Sequence, residues 1–336
     1  EQGIEVGETP LRSLQHDDRF GREDVQHPCA KKIWHQTVEL LRRKYLGISL
    51  GLLCGLFGYS RQSYYKWDNT DFADNAIEPL IVEEVQKYRK DNPGLGCAKL
   101  YLIIKKLFEE TGSMPGRDAF IELLRRNGLM VRLKRRRHYR TTDSNHHYRK
   151  YPNLIEDVVP SHPNEIWVSD ITYVETGEGV CYLSLVTDAY SHKIVGWAVG
   201  PTLETKYPLE ALRVALSTID IDISSRLIHH SDRGCQYCSN EYVSELNKYG
   251  VSISMTQSGD PLENAIAERA NGILKVEWLY KMTIATRDEC RGVLERIIRF
   301  YNTERPHMSV GMQTPESVHQ QEGFQRRCWK NSYAMG

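Results

Sequence analysis

Ile166-Trp167-Val168-Ser169-Asp170-Ile171-Thr172-Tyr173 is a run of β-branched and aromatic residues with a single acid at its centre. The composition predicts a strand over residues 165–174. Asp170 then sits mid-strand, where an unpaired carboxylate is costly unless it meets a metal or a partner. Further strands are expected at 180–187, 193–199, 226–230 and 251–256. Helices are expected at roughly 203–218, 239–249, 261–280 and 287–302. Three consecutive strands followed by alternating helices and strands predict an α/β unit, a mixed five-stranded sheet with helices on its faces.

Two other acids have settings that complement Asp170. Asp232 follows the short apolar run Ile228-His229-His230-Ser231 and precedes Arg233-Gly234, at a strand end. Glu268 lies in Pro261-Leu262-Glu263-Asn264-Ala265-Ile266-Ala267-Glu268-Arg269. That stretch reads as a helix capped by Asp260, with Pro261 at N1 and Glu263 at N3. Two strand carboxylates and one helix carboxylate can converge on a pair of divalent ions. Two Mg²⁺ ions about 4 Å apart activate a nucleophile at neutral pH and neutralise charge on a leaving oxygen. Mg²⁺ takes oxygen ligands, so neither histidine nor thiol is required, and Mn²⁺ is expected to substitute. The chain holds 44 acids, so spacing alone decides nothing and the settings carry the weight. Lys275, two turns beyond Glu268 on the same helical face, is placed to hold substrate phosphate near the metals. Such a site breaks and joins nucleic-acid strands.

A chain of 336 residues predicts two or three domains. Net charge is zero, which taken alone argues against a nucleic-acid partner. The distribution argues for one: residues 1–30 carry net −4, residues 31–150 net +11 and residues 151–336 net −7. Eight cysteines in a long chain form no disulfide-like framework and read as reduced thiols of a cytosolic protein. No signal peptide is visible, and the longest uncharged apolar run, 47–59, is too short to span a bilayer. No membrane partner is expected, and the location expected is the cytoplasm. The first residue is Glu rather than Met, which suits a fragment or a product of frame fusion.

Residues 1–30 are acidic and patternless and are expected to be flexible. Residues 31–140 read as an all-α DNA-binding region. Within it, 48–67 resembles a helix-turn-helix: Leu50, Leu53, Cys54, Leu56 and Phe57 give an apolar face, Gly58 a turn, and Ser60 an N-cap for the helix 61–67. Arg61, Gln62 and Lys66 on that second helix are types that reach base edges or phosphates. The segment reads equally as an ordinary helical hairpin. A second helical pair follows at 98–108 and 117–127, closed by Gly128. Then comes a basic run with Arg132, Lys134, Arg135, Arg136, Arg137 and Arg140. Its single sign and interleaved aromatic favour DNA-backbone contact over a solvated linker. Residues 141–163 read as a linker, 164–320 as the α/β core and 321–336 as a tail. Cys235-x-x-Cys238 after His229 and His230 is half of a zinc pattern, but no second pair stands at zinc spacing, and packing cysteines are the preferred reading.

The ordered set Trp167-x-x-Asp170-Ile171-Thr172-Tyr173, His230-Ser231-Asp232-x-Gly234-x-Gln236-Tyr237 and Asn264-Ala265-x-x-Glu268, with Lys275, resembles the catalytic core of insertion-sequence DDE transposases related to retroviral integrases. The 35-residue gap between Asp232 and Glu268 fits that pattern. So do Asp188-x-x-Ser191-x-Lys193-Ile194-Val195-Gly196-Trp197 and Tyr301-Asn302-x-x-Arg305-Pro306-His307, with Thr314-Pro315 beyond. Upstream, the helix-turn-helix and Thr141-Thr142-Asp143-Ser144 look like the second-reading-frame product of the "insertion sequence three" family. His192, Glu263 and Val310 depart from the family's usual Arg, Asp and Leu. The resemblance implies a ribonuclease-H-like integrase core dependent on Mg²⁺, acting on double-stranded DNA at the element's terminal inverted repeats and at a target. It implies that an exposed 3′-OH attacks a phosphodiester of the other end, leading to a circular intermediate. By the same resemblance Asp170 bridges both metals while Asp232 and Glu268 each complete one site. It further implies a homo-oligomer on DNA and a partnership with the upstream reading-frame product. A purely hydrolytic nuclease and a non-catalytic DNA-binding regulator are the rival readings.

Overall fold

A computed structural model describes residues 28–45, 47–109, 114–132, 146–156, 158–224, 226–257 and 264–323. Side chains within helices at 28–33, 66–76, 221 and 223 lie outside that description. The chain divides into two compact units at Ala76/Ile77, inside one long helix. Among the described residues no helix is long and apolar enough to cross a membrane.

The first unit contains α1 (Pro28–Lys44), α2 (Leu50–Gly55) and the start of α3 (Arg61–Asp91). Its core is Trp34, Val38, Leu53, Cys54 and Tyr64, with the Trp34 ring stacked on Tyr59 at 4.2 Å. Ser49 caps α2 by accepting from Leu52 N, and Ser60 caps α3 by accepting from Ser63 N at 3.1 Å. Gly58 makes the turn between them at φ +74°, a conformation costly for any residue with a Cβ. The helix-turn-helix segment therefore has the expected order, with two differences. Leu56 and Phe57, read as part of the apolar face, are exposed, because the face that meets α1 is carried by Leu53 and Cys54, with Leu50 packed beside them. The second helix also runs to Asp91 instead of ending at Trp67, passing through Pro79.

The second unit opens with the rest of α3, packed against α4 (Cys97–Leu107) and α5 (Arg117–Arg126) around Ile81, Leu100, Ile104, Phe120 and Leu124. Gly128, at φ +67°, closes α5 as expected. The sheet follows: β1 (Ile166–Thr176), β2 (Gly179–Asp188), β3 (Ile194–Gly200), β4 (Ile228–Ser231) and β5 (Ser252–Met255), in spatial order β3-β2-β1-β4-β5. The first three strands form an antiparallel meander, and β4 and β5 add in parallel to β1. This is the mixed five-stranded sheet expected from the sequence.

Parallel pairing needs crossovers, which α6 (Lys206–Leu216) and α9 (Asn240–Lys248) supply. They bury one sheet face with Trp167, Ile171, Val195, Leu212 and Tyr242. The approach of α6 to β3 is close enough that a Cβ on Gly196 would lie 2.1 Å from the Ala211 carbonyl oxygen. Two further helices, α10 (Ala265–Glu277) and α11 (Arg287–Thr303), cover the opposite face with Leu183, Leu185, Leu274, Trp278 and Leu294. Residues 146–156, read as linker, lie against the β5 edge of the sheet: Met255 N donates to the Pro152 carbonyl at 3.2 Å, and Leu154 N to Ser254 Oγ at 2.8 Å.

Candidate active site

Side chains of β1 alternate between the two helical layers. Ser169 faces α9, where its Oγ lies 2.8 Å from His229 Nε2. Asp170 faces α10, and its Oδ2 accepts from Asn271 Nδ2 at 2.8 Å. The register then brings in the second acid. Ser169 pairs with Ser231 across the parallel β1–β4 ladder, so Asp232 leaves β4 next to Asp170. Its Oδ1 accepts from Gly234 N at 3.0 Å, a local turn in which a Cβ at position 234 would touch that same oxygen. Glu268 stands in the first turn of α10, exposed, one turn before Asn271. The start of α10 is pinned to β1 by Asn264 Nδ2, which donates to the Ser169 carbonyl at 3.1 Å.

The electrostatics bind these three acids together. Burial pushes the Asp170 carboxyl up to about 7, and the like charges of Asp232 and then Glu268 push the same way. The hydrogen bonds from Asn271 and Ile171 pull against them. Like charges crowded at a half-buried carboxylate are what a divalent cation relieves. Three oxygen-donor side chains fit Mg²⁺ chemistry by type. Among the described residues no three His, Cys, Asp or Glu side chains already stand in a closed metal cluster. Asp170 is turned to Asn271 and Asp232 to Gly234, so the acids are neighbours across the β1–β4 ladder without forming a ligand cluster.

Lys275 lies on the same α10 face, with Nζ 3.8 Å from the Tyr173 ring centroid. Burial lowers its pKa to about 8, while Asp170 and Glu175 hold it up. It therefore lies within electrostatic reach of Asp170. Of the expected DNA contacts, Arg61 and Gln62 are exposed in the first turn of α3, and Arg132 is exposed after α5. The Lys66 side chain and residues Lys134, Arg135, Arg136, Arg137 and Arg140 lie outside the described residues, as do Asp260, Pro261 and Glu263.

Cys238 is buried against Met255 Sδ at 3.5 Å, with its thiol pushed up to about 11 by burial. His229 is buried between Ser169 and the Tyr242 hydroxyl, 3.0 Å away, and burial holds its pKa down at about 3. Both groups thus serve packing on the α9 side. Residue types alone did not disclose two features. One is Asn271, whose only sequence signal is its place three residues after Glu268 on one helical face. The other is the buried Glu277–Arg305 pair, bidentate at 2.7 and 2.6 Å, which also meets Asn92 Nδ2 at 3.3 Å and Lys99 Nζ at 3.9 Å. That network joins the C-terminal end of α10 to the helical segment before the sheet.

The sheet order, its two helical layers and the convergent acids describe an integrase-type α/β core. Residues 160–261 match the integrase core domain family, and residues 249–315 match a second integrase core domain model. The 31 kDa protein of insertion element IS600 from Shigella sonnei is 35% identical over 277 residues, covering 80% of this chain and 99% of that protein. The transposase of IS629 from Shigella sonnei is 30% identical, covering 83% and 93%. Transposase InsF of IS3fB from Escherichia coli K12 is 34% identical over 171 residues, covering 50% and 59%. The chain belongs to the insertion-sequence transposases with an integrase core. Among solved structures, the magnesium-bound HTLV-2 integrase catalytic core is similar with 18% identity and a TM-score of 0.37, covering 47% of this chain and 98% of that one.

Proposed function

We propose that this transposase binds the terminal inverted repeats of its element, exposes a 3′-OH by hydrolysis, and joins it to a phosphodiester of the other end through a circular intermediate. The observation that supports the reading is the β1–β4 register, which sets Asp232 beside Asp170 while Asn271 links Asp170 to the helix that carries Glu268. In this reading Asp170, Asp232 and Glu268 would together hold the ions. Two Mg²⁺ ions, or Mn²⁺ in their place, supply nucleophile activation and leaving-group neutralisation when bound. Asn271 orients the Asp170 carboxylate, and Lys275 holds the phosphate beside it.

Double-stranded DNA is gripped by residues 31–140, with Arg61, Gln62 and Lys66 toward the groove and Arg132, Lys134, Arg135, Arg136, Arg137 and Arg140 along the backbone. Residues 164–320 perform the chemistry. Copies of the chain act together on two DNA ends, with the upstream reading-frame product as a further partner, at the nucleoid in the cytoplasm. The test is purified chain with labelled duplexes carrying the element's ends, in Mg²⁺. Nicked and joined products are expected. Hydrolysed product without joining would favour the nuclease reading, and binding without any product in Mg²⁺ or Mn²⁺ the regulator reading.

A further inference from the structure

On the flank of α10 away from the acids lies a cavity of about 680 Å³. Glu268, Asn271 and Lys275 share one stripe of the helix. Ile266, Arg269 and Ile273, which line the cavity, share another, turned from the first by roughly 150° at about 100° per residue. The remaining walls come from Val158 and Val159 before β1, from Tyr190 and His192 after β2, and from His307 and Met308. All belong to the second compact unit.

The cavity is apolar in its walls and cationic in its charge. Lys99, Arg269 and Arg305 line it, and the carboxylate that meets Lys99 and Arg305, Glu277, is already held by both arms of Arg305. Among the described residues Arg269 has no ion-pair partner, and Lys99 is left 3.9 Å from Glu277. His307 is buried to 4% exposure, and its Nε2 finds no hydrogen-bond partner among the described residues. Burial, then Arg305, His192, Lys99 and Arg269, all hold His307 neutral. A buried polar atom without a partner is costly, as are cations in excess of carboxylates in a partly closed space. Both costs are removed by one kind of ligand, an anion with a flat or apolar body.

We propose that this cavity takes a single unpaired nucleotide of the DNA, its phosphate between Lys99 and Arg269, its base against Val159, Ile266 and Met308 with an edge at His307. A duplex is far too wide for such a space, whereas an unstacked nucleotide enters at low cost when it is already unpaired. The base has a π-face for apolar walls, and the phosphate has the charge the lysine and arginine lack. The assignment rests on the transposase reading only for the source of the nucleotide.

The test is fluorescence anisotropy in EDTA with the full chain. It compares a blunt duplex, the same duplex with one unpaired 5′ nucleotide, and free deoxyadenosine monophosphate as competitor. The single-nucleotide overhang is expected to bind about tenfold tighter than the blunt end. Val159→Trp, which fills the cavity from a half-exposed wall position, and Arg269→Gln, at an exposed site, are expected to erase that preference. Both should leave blunt-duplex binding within about threefold. Equal binding of overhang and blunt end, or an undiminished preference in both variants, overturns the proposal. Competition by free mononucleotide without any overhang preference also overturns it, by assigning the cavity to a free nucleotide. Because no divalent metal is present, loss of the overhang preference is separate from any failure of the cleavage chemistry. A preference retained in a chain that never cleaves would instead remove the enzymatic reading.

Discussion

Asn271 Nδ2 stands 2.8 Å from Asp170 Oδ2 and is the direct polar link between α10 and the centre of β1. It meets the Asp170 carboxylate from the face of α10 that carries Glu268 one turn earlier, while Ala267 and Leu274 seat the helix on the sheet. With Asn264 on the Ser169 carbonyl, it fixes the helix against the strand at two points along its length.

Asn271→Ala is expected to lower metal-dependent cleavage by about 10- to 100-fold, the usual effect of removing a group that orients a metal ligand. Raised Mg²⁺ should restore part of the loss, since the three carboxylates remain. A titration of cleavage rate against Mg²⁺ in wild type and variant checks this, and identical midpoints would refute the orienting role.

Asp170→Asn, Asp232→Asn and Glu268→Gln keep side-chain shape while removing one charge each. Each is expected to lower both hydrolysis and joining by at least about 10³-fold, because transition-state charge is then left uncompensated. DNA binding in EDTA should stay within about threefold. Gel analysis of labelled ends reads both chemical steps separately, and normal joining by Asp170→Asn would end the assignment.

Arg61 and Gln62 are exposed at the start of α3, with Arg61 5.5 Å from the Tyr65 ring. If they meet DNA, Arg61→Ala should flatten the salt dependence of binding by about one unit of slope when its contact is a phosphate. Gln62→Ala should cost roughly 1–3 kcal/mol on the cognate end and little on other DNA when its contact is a base edge. Affinities measured over a salt series on cognate and scrambled ends distinguish the two.

The sheet was legible because its strands are locally explicit: β-branched and aromatic runs bounded by turn residues reproduce all five within a few residues. Both core-facing sides of β1 are buried, so Asp170 stood out as a polar residue without a local reason. The length of α3 was not legible, since Asp68-Asn69-Thr70-Asp71 and Pro79 are residues that locally favour a break. Leu56 and Phe57 were misplaced because the neighbour that decides the buried face, α1, is more than ten residues away in sequence. Asn271 and the Glu277–Arg305 pair were hidden for a similar reason. Their partners lie 101 and 28 residues away, so only the three-dimensional register gives either a role.

Glu277 and Arg305 are both almost fully enclosed, and each satisfies the other with two hydrogen bonds. Removing Arg305 leaves Glu277 with only Asn92 and the more distant Lys99, a loss that approaches the cost of a broken buried pair, about 3–5 kcal/mol. Arg305→Met should therefore destabilise the chain by about that much in urea unfolding. Adding Glu277→Met to it should recover part of the loss, since an apolar pair of similar volume carries no desolvation penalty. If the double variant is as unstable as the sum of the singles, the two residues act independently and the pair is not the lock it resembles.

His229 supplies the pH dependence whose sign is plainest. Burial between Ser169, Tyr242 and Tyr237 holds its folded pKa near 3, against 6.5 for the free side chain. Above pH 6.5 both folded and unfolded chains carry it neutral, and it adds no pH dependence. Below that, the unfolded chain takes up a proton that the folded chain refuses, so stability falls as pH drops from 6.5 toward 3. The loss is roughly 1.4 kcal/mol per pH unit, or about 2 kcal/mol by pH 5. His229→Gln can keep one hydrogen bond to the hydroxyls but cannot titrate. Its unfolding free energy should be lower at pH 8, while its slope between pH 6.5 and 4.5 should be flatter than that of wild type by about one proton. Chemical denaturation at a series of pH values measures that slope directly. A variant that loses stability on acidification as steeply as wild type would show that His229 is already accommodated as a cation in the folded chain, and that the layer between β4 and α9 opens to water.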